Sequence, residues 1–262
     1  MTRIAEAFAD KKAFIPFITC GDPDLETSKK IVAEMEKNGA DLIELGIPFS
    51  DPTAEGPVIQ GANIRALKND ITTDDIFDMV RELRDIVSVP LVFMTYANVV
   101  FSYGTDRFFK GCRDIGIDGI ILPDVPFEEK SEFDDIAQIY GIDLISMIAP
   151  TSEDRIDKIA SEARGFIYIV SSLGVTGVRS EINSDIESLV ARVRKNTDIP
   201  CAVGFGISTP EQAAKMAAIS DGAIVGSAIV RLIEKYKTDA PQKVGEFVKS
   251  MKEACVFRPE NS

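Results

Sequence analysis

The sequence predicts a (β/α)8 barrel made by a single domain, residues 1–262, with an extra N-terminal helix and long loops after the second and sixth strands. Three observations carry that expectation. Eight short apolar runs, many of them β-branched, recur along the chain; stretches with a helical apolar period separate them; and 262 residues suit eight strand–helix units. Strand–helix alternation implies parallel strands whose outer faces are covered by helices. The rival, a doubly wound open sheet, usually has fewer strands and needs a Gly-rich first βα turn. That turn here reads Cys20-Gly21-Asp22-Pro23, which favours the barrel.

The first run, Phe14–Thr19, contains Pro16, which lacks a ladder donor and predicts a local irregularity. The other seven are Leu42–Leu45, Leu91–Met94, Gly119–Leu122, Leu144–Ile148, Phe166–Val170, Cys201–Gly204 and Ala223–Val225. Ile76, Met79, Val80 and Leu83 fall at i, i+3, i+4 and i+7, the apolar stripe of a helix. Ile186, Leu189, Val190 and Val193 repeat that spacing, and so do Val244, Phe247, Val248 and Met251 after the last strand. Ser152 before Glu153 reads as a helix N-cap, and Ser208-Thr209-Pro210-Glu211 puts Pro210 at a first helical position. No linker, low-complexity stretch or short repeat interrupts the chain.

Composition removes several chemistries. There is no His, which excludes Ser–His and Cys–His pairs, His-ligated metals and imidazole acid–base catalysis. Proton transfer must fall to carboxylates, Lys, Tyr or Cys. Cys20, Cys112, Cys201 and Cys255 lack CxxC spacing and read as buried thiols in a reducing compartment, with no metal site. The 29 Lys and Arg against 42 Asp and Glu leave a net charge of −13, which argues against nucleic acid or an anionic membrane as partner. A bound anion must then be held by local donors. The N-terminus lacks a signal-type apolar core and no run is long enough to span a bilayer, so the expected location is the cytoplasm.

Chemistry in a barrel gathers at strand C-termini and the loops beyond them. Glu44 stands among strand residues, where a carboxylate is costly to bury unless paired or protonated; it is either a charge reaching solvent or a working group. The loop Pro48–Pro57 holds three prolines, Asp51 and Glu55, and is either a stiff surface connection or a cover for a ligand. Glu44 and Glu55 lie eleven positions apart and could face one cavity. Ser171–Gly177 is a small, hydroxyl- and Gly-rich loop able to present amides or simply to move. Gly204-Phe205-Gly206-Ile207-Ser208 and Gly226-Ser227-Ala228-Ile229 follow the last two strands, where barrels often bind phosphate on backbone amides and a short helix N-terminus.

Several motifs resemble the tryptophan synthase alpha chain family, in that family's order and spacing across nearly the whole chain. They are Phe17-Ile18-Thr19-Cys20-Gly21-Asp22-Pro23, Glu44-Leu45-Gly46-Ile47-Pro48-Phe49-Ser50-Asp51-Pro52, Tyr96-Ala97-Asn98, Pro123-Asp124-Val125-Pro126, Gly174-Val175-Thr176-Gly177 and the two glycine motifs above. The resemblance implies retro-aldol cleavage of indole-3-glycerol phosphate to indole and glyceraldehyde 3-phosphate. It implies Glu44 and Glu55 as catalytic carboxyls, and Phe17, Tyr96, Tyr168, Thr176, Gly177, Phe205, Gly206, Gly226 and Ser227 around the substrate. It further implies an α2β2 complex with a beta subunit that carries pyridoxal phosphate, met near Asp51, Pro52 and Asp124, and no cofactor in this chain. The chain departs from the commonest pattern in having Glu55-Gly56-Pro57 where the familiar loop has Asp-Gly-Pro, and Ser-Ser-Leu-Gly where better-known members carry an arginine and a second serine. A relative of indole-glycerol-phosphate synthase would be expected to carry a strand Lys, which none of the eight runs does. A stand-alone lyase and a weakly catalytic binding subunit are the remaining alternatives.

Overall fold

Side-chain alternation along short parallel strands sets the architecture. The computed structural model describes residues 2–171, 179–204 and 206–256. Nine strand segments are present among them: β1 (Ala13–Thr19), β2 (Ile43–Gly46), β3 (Leu91–Met94), β4 (Gly119–Ile121), β5 (Asp143–Leu144), β6 (Ser146–Ile148), β7 (Ile167–Val170), β8 (Cys201–Gly204) and β9 (Gly222–Val225). All pairings are parallel, in the order β5-β4-β3-β2-β1-β9-β8-β7-β6. The two ends of that order, β5 and β6, are separated only by Ile145, so the sheet closes into a barrel.

The predicted fifth strand is thus two segments with different partners. β5 pairs with β4, the Ile145 N–H still donates to Ile120 O at 2.8 Å, and β6 then pairs with β7. β1 hands over in the same way: Ala13–Pro16 are in register with β9, and Phe17–Thr19 with β2. Such staggers accompany the tilt of strands in a closed barrel. Pro16 is the last residue in register with β9, and β1 runs unbroken through it. The irregularity expected at Pro16 is a change of partner.

Alternate residues face opposite sides of each strand. Ala13, Ile15, Leu42, Val92, Ile121, Ile145, Phe166, Tyr168, Ala202 and Ile224 form an inner cluster. Their neighbours Phe14, Ile18, Ile43, Leu45, Phe93 and Ile120 belong to the larger outer cluster beneath the helices. The expected helical stripes supply the other half of that layer: Ile76, Met79, Val80 and Leu83; Ile186, Leu189, Val190 and Val193; Val244, Val248 and Met251, with Phe247 partly buried. The extra helix Arg3–Phe8 sends Ile4 and Ala7 into the inner cluster. It lies at the strands' N-terminal end, where a Cβ on Gly119 would meet Ile4 and one on Gly222 would meet Phe8.

Helix starts bear out one cap and correct another. Thr209 accepts the Gln212 N–H, Gln212 Oε1 accepts the Thr209 N–H, and Pro210 opens the helix Pro210–Ile219. Ser152 does not cap an α-helix. It lies within a 3₁₀ stretch, Pro150–Arg155, where its Oγ accepts the Ala149 N–H, and the helix begins only at Ile156. All four cysteines are buried free thiols, with Cys20 and Cys201 pushed up to about 12 mainly by burial.

At the opposite end, the strands' C-termini, one ion-pair network ties the loop after β1 to the helices Pro57–Leu67 and Ser227–Tyr236. Asp22, just after β1, is buried and accepts Arg65 Nε and Nη2 at 2.8 Å each, while Arg65 Nη1 reaches Glu234 at 2.9 Å. Removing the cation alone would strand a buried carboxylate, whereas neutralising Asp22 leaves a guanidinium with access to water. Arg65→Met is expected to cost ~3 kcal/mol in urea unfolding, and Asp22→Asn clearly less. Equal losses would contradict the burial asymmetry.

Candidate active site

Leu42 faces the barrel interior, and two residues on Glu44 inherits the same face one step nearer the C-terminal mouth. It is only 1% exposed, in register with Phe17 on one side and Val92 on the other. Among the described residues its Oε1 has no hydrogen-bond partner. Burial without a compensating cation disfavours the charged form and pushes the Glu44 carboxyl up to about 8. Glu44 is therefore a mostly protonated acid at neutral pH. The Tyr168 phenol shares this interior; burial, and then the Glu44 charge, raise it well above its ordinary value.

Glycines make room for the aromatic rings here. A Cβ on Gly204 would collide with the Tyr168 hydroxyl. A Cβ on Gly46 would lie 2.7 Å from the Phe17 ring, and one on Gly226 would lie 3.3 Å from it. Phe17 thus sits between two glycines of neighbouring strand ends. Gly226 therefore has a packing duty besides any backbone contact with a ligand.

Above Glu44 lies a cavity of about 360 Å³. Of the residues singled out in the sequence, Phe17, Glu44, Glu55, Tyr168, Gly206, Gly226 and Ser227 line it. Met94, Met147, Ile59 and Ile224 supply apolar wall, and Arg231 is an unforeseen member. Thr176, Gly177 and Phe205 lie outside the described residues.

Glu55 comes from the long loop after β2, braced by the helix Pro57–Leu67 that follows. Asn63 Nδ2 donates to Glu55 Oε2 at 2.7 Å, and Gln60 Nε2 donates to the Glu55 carbonyl at 2.8 Å. Partial burial raises the Glu55 carboxyl, while hydrogen bonds from Asn63 and Tyr96 pull it back. Tyr96 is not among the cavity walls. It stands behind Glu55, its ring packs tilted against that of Phe49 with centroids 5.1 Å apart, and its hydroxyl accepts the Ala54 N–H at 3.1 Å. Burial pushes its phenol up to about 12. Sequence reading missed Asn63 and Gln60, because polar residues on a helix are ordinary until the fold shows which face they occupy.

The far end of the cavity is built from backbone. Gly206 has φ of +73°, a left-handed conformation that favours glycine. Gly226 precedes the helix Ser227–Tyr236 and offers no side chain to cap it. The first amides bonded within that turn are those of Ile229 and Val230, which donate to Gly226 O at 2.9 and 3.1 Å. The preceding N–H groups, of Ser227 and Ala228, have no carbonyl behind them in the helix, and both residues line the cavity. Uncharged donors at a helix N-terminus favour an anion there.

Asp51 is exposed and Pro52 half-buried on the loop after β2. Asp124, exposed after β4, accepts the Ala97 N–H at 3.1 and 3.2 Å, tying its loop to the start of the helix Ala97–Tyr103. All three belong to the same end of the barrel as the cavity. Among the described residues no cluster of three His, Cys, Asp or Glu could hold a metal, and no helix is long and apolar enough to cross a membrane.

A family model described as "Tryptophan synthase alpha chain" matches residues 5–256. The chain belongs to the tryptophan synthase alpha chain family. It is 50% identical to the alpha chain of Lacticaseibacillus casei over 97% of this chain and 96% of that one. Identity to the alpha chain of Alkaliphilus metalliredigens is 48%, over 93% and 92%. The crystal structure of tryptophan synthase subunit alpha from Legionella pneumophila superposes with a TM-score of 0.89 at 38% identity, covering 97% of this chain and 98% of that one. The tryptophan synthase complex from Pyrococcus furiosus contains a chain that matches at 0.83 and 33%, over 92% and 98%. Membership makes this chain a lyase of tryptophan biosynthesis with the barrel fold of its structural relatives.

Because Glu44 is raised from 4.5 to about 8, the folded state keeps its proton while the unfolded chain loses one as pH rises between those values. Glu44 therefore costs stability progressively across that window, and the cost levels off above it. Glu44→Gln cannot ionise. Its Tm relative to the parent should climb from pH 5 to pH 8 and then flatten, in paired thermal melts. A difference independent of pH would contradict an un-ionised Glu44.

Proposed function

We propose that this chain cleaves indole-3-glycerol phosphate by a retro-aldol reaction in which Glu44 moves both protons. The observation that carries this reading is a buried, protonated carboxyl, without a partner on Oε1, in the wall of a cavity that also holds Glu55. Cleavage requires a proton on indole C3 and loss of a proton from the adjacent side-chain hydroxyl. Glu44 gives its proton to C3; the carboxylate so formed then takes the hydroxyl proton. As that O–H electron pair becomes the aldehyde C=O, the C–C bond breaks and its electrons restore the indole ring. The proton on Glu44 is regenerated, so the step is balanced without a cofactor.

Glu55, held by Asn63 and Tyr96, is assigned to the indole N–H, where its charge stabilises the cationic ring. Tyr96 serves the substrate through Glu55. Phe17 and Tyr168 flank the ring system, and Gly206, Gly226 and Ser227 receive the phosphate on backbone donors and a hydroxyl. Thr176, Gly177 and Phe205 complete the substrate set by their motif positions. Residues 1–262 act as one barrel domain in the cytoplasm. Asp51, Pro52 and Asp124 meet a beta subunit in an α2β2 assembly, and the pyridoxal phosphate belongs to that subunit. The exposure of Asp51 and Asp124 at the cavity's end of the barrel supports this placement.

Indole release from indole-3-glycerol phosphate by the purified chain, with and without a tryptophan synthase beta subunit, tests the assignment. Slow release that rises sharply with the beta subunit is expected. Fast release by the chain alone would point to a free-standing lyase, and none in either case to a binding subunit. Glu44→Gln should abolish cleavage while leaving substrate affinity nearly intact, and parent kcat/KM should fall as pH rises through about 8. Substantial turnover by Glu44→Gln would end the proton-transfer role.

Position 55 allows a graded test. Glu55→Asp withdraws the carboxylate by one methylene from Asn63, and is expected to hold kcat within about tenfold of the parent. Glu55→Ala removes the charge and should cost on the order of 10²-fold or more. Equal losses in steady-state assays would show that the loop admits only the longer acid.

A further inference from the structure

Arg231 is the one cation among the described residues that line the cavity, whose other ionisable walls include Glu44 and Glu55. It lies four residues after Ser227 on the helix Ser227–Tyr236, so the two share a face. Side chains on a helix lean toward its N-terminus, which carries Arg231 back over the first turn, toward Gly226 and Ser227. The acid three residues further on, Glu234, is already engaged by Arg65 Nη1 at 2.9 Å. Among the described residues Arg231 makes no ion pair, although acids outnumber bases in this chain by 42 to 29. A guanidinium left unpaired amid so many carboxylates, beside a backbone anion cradle, is placed for a ligand.

We propose that Arg231 supplies the positive charge by which this cavity selects a phosphate monoester dianion, a proposal that rests on the phosphate assignment above. Backbone amides fix where the phosphate sits but carry no net charge. They leave the dianion to enter a chain of net charge −13 unassisted. The guanidinium adds a full charge and a planar donor fork that matches two phosphate oxygens. It is exposed at the mouth, so its contribution is moderate and screened by salt. Arg231 is a specificity-determining residue; it takes no part in proton transfer.

The test is calorimetric titration of the full-length chain with inorganic phosphate and with glycerol 3-phosphate, at several salt concentrations. Arg231→Gln should weaken both by roughly tenfold and flatten the salt dependence. Arg231→Lys should retain most of the affinity, and indole binding should be unchanged in both variants. Unaltered phosphate affinity and salt dependence in Arg231→Gln would overturn the proposal. Ser227→Asp separates this failure from failure of the underlying assignment, because it sets a negative charge in the cradle itself. If Ser227→Asp abolishes phosphate binding while Arg231→Gln leaves it intact, the cradle stands and the role of Arg231 falls. If the parent chain binds neither phosphate nor glycerol 3-phosphate, both readings fall together.

Discussion

The interior of a small parallel barrel has room for side chains but none for a solvated charge, and this chain places a carboxyl there. Glu44 occupies the position on β2 that alternation assigns to the inner layer, and the barrel leaves it almost wholly buried at the base of the cavity. Its surroundings share one property: they withhold a cation. Phe17, Val92 and Tyr168 are its neighbours in register or in field, and among the described residues the arginines are paired elsewhere or held at the rim. A lysine or arginine at this depth would pull the carboxyl back to its ordinary range and leave it unable to donate a proton at neutral pH.

The two carboxyls consequently have opposite characters. Glu44 is dry and without a partner on Oε1; Glu55 is partly wet and bonded by Asn63 and Tyr96. A pair of acids whose environments separate them in this way can divide proton transfer from charge stabilisation. The scaffold keeps them apart mechanically as well. Glu44 rides on a strand, whereas Glu55 is carried by a loop braced by the helix Pro57–Leu67. Arg65 of that helix binds both Asp22 after β1 and Glu234 on the helix that begins at Ser227. One side chain therefore links the element holding the second carboxyl to the element that cradles an anion.

Much of this is legible in the amino-acid sequence alone. The eight strands announce themselves because parallel barrel strands are buried on both faces, so they read as apolar runs such as Leu91–Met94 and Cys201–Gly204. Glu44 stood out for the same reason, as a charge inside such a run. The position of Glu55 eleven residues away could not show that both face one cavity, which depends on how the Pro48–Pro57 loop folds back over the barrel. Asn63, Gln60 and Arg231 were invisible because a helix surface is polar by default. The split of the fifth strand at Ile145 reflects barrel stagger, which no local pattern encodes. Gly46 and Gly204 are explained by bulk, as space for the Phe17 and Tyr168 rings, and composition alone cannot separate that role from turn or phosphate duty.

The account turns on the protonation of a single side chain, and that can be observed without turnover. Carboxyl ¹³C resonances of the glutamate-labelled chain, followed across pH and assigned by comparison with Glu44→Gln, would report it directly. The structure predicts that the Glu44 signal titrates with a midpoint near 8. A midpoint near the ordinary value of 4.5 would mean that the interior hydrates or pairs this carboxylate, and Glu44 could not then serve as the acid.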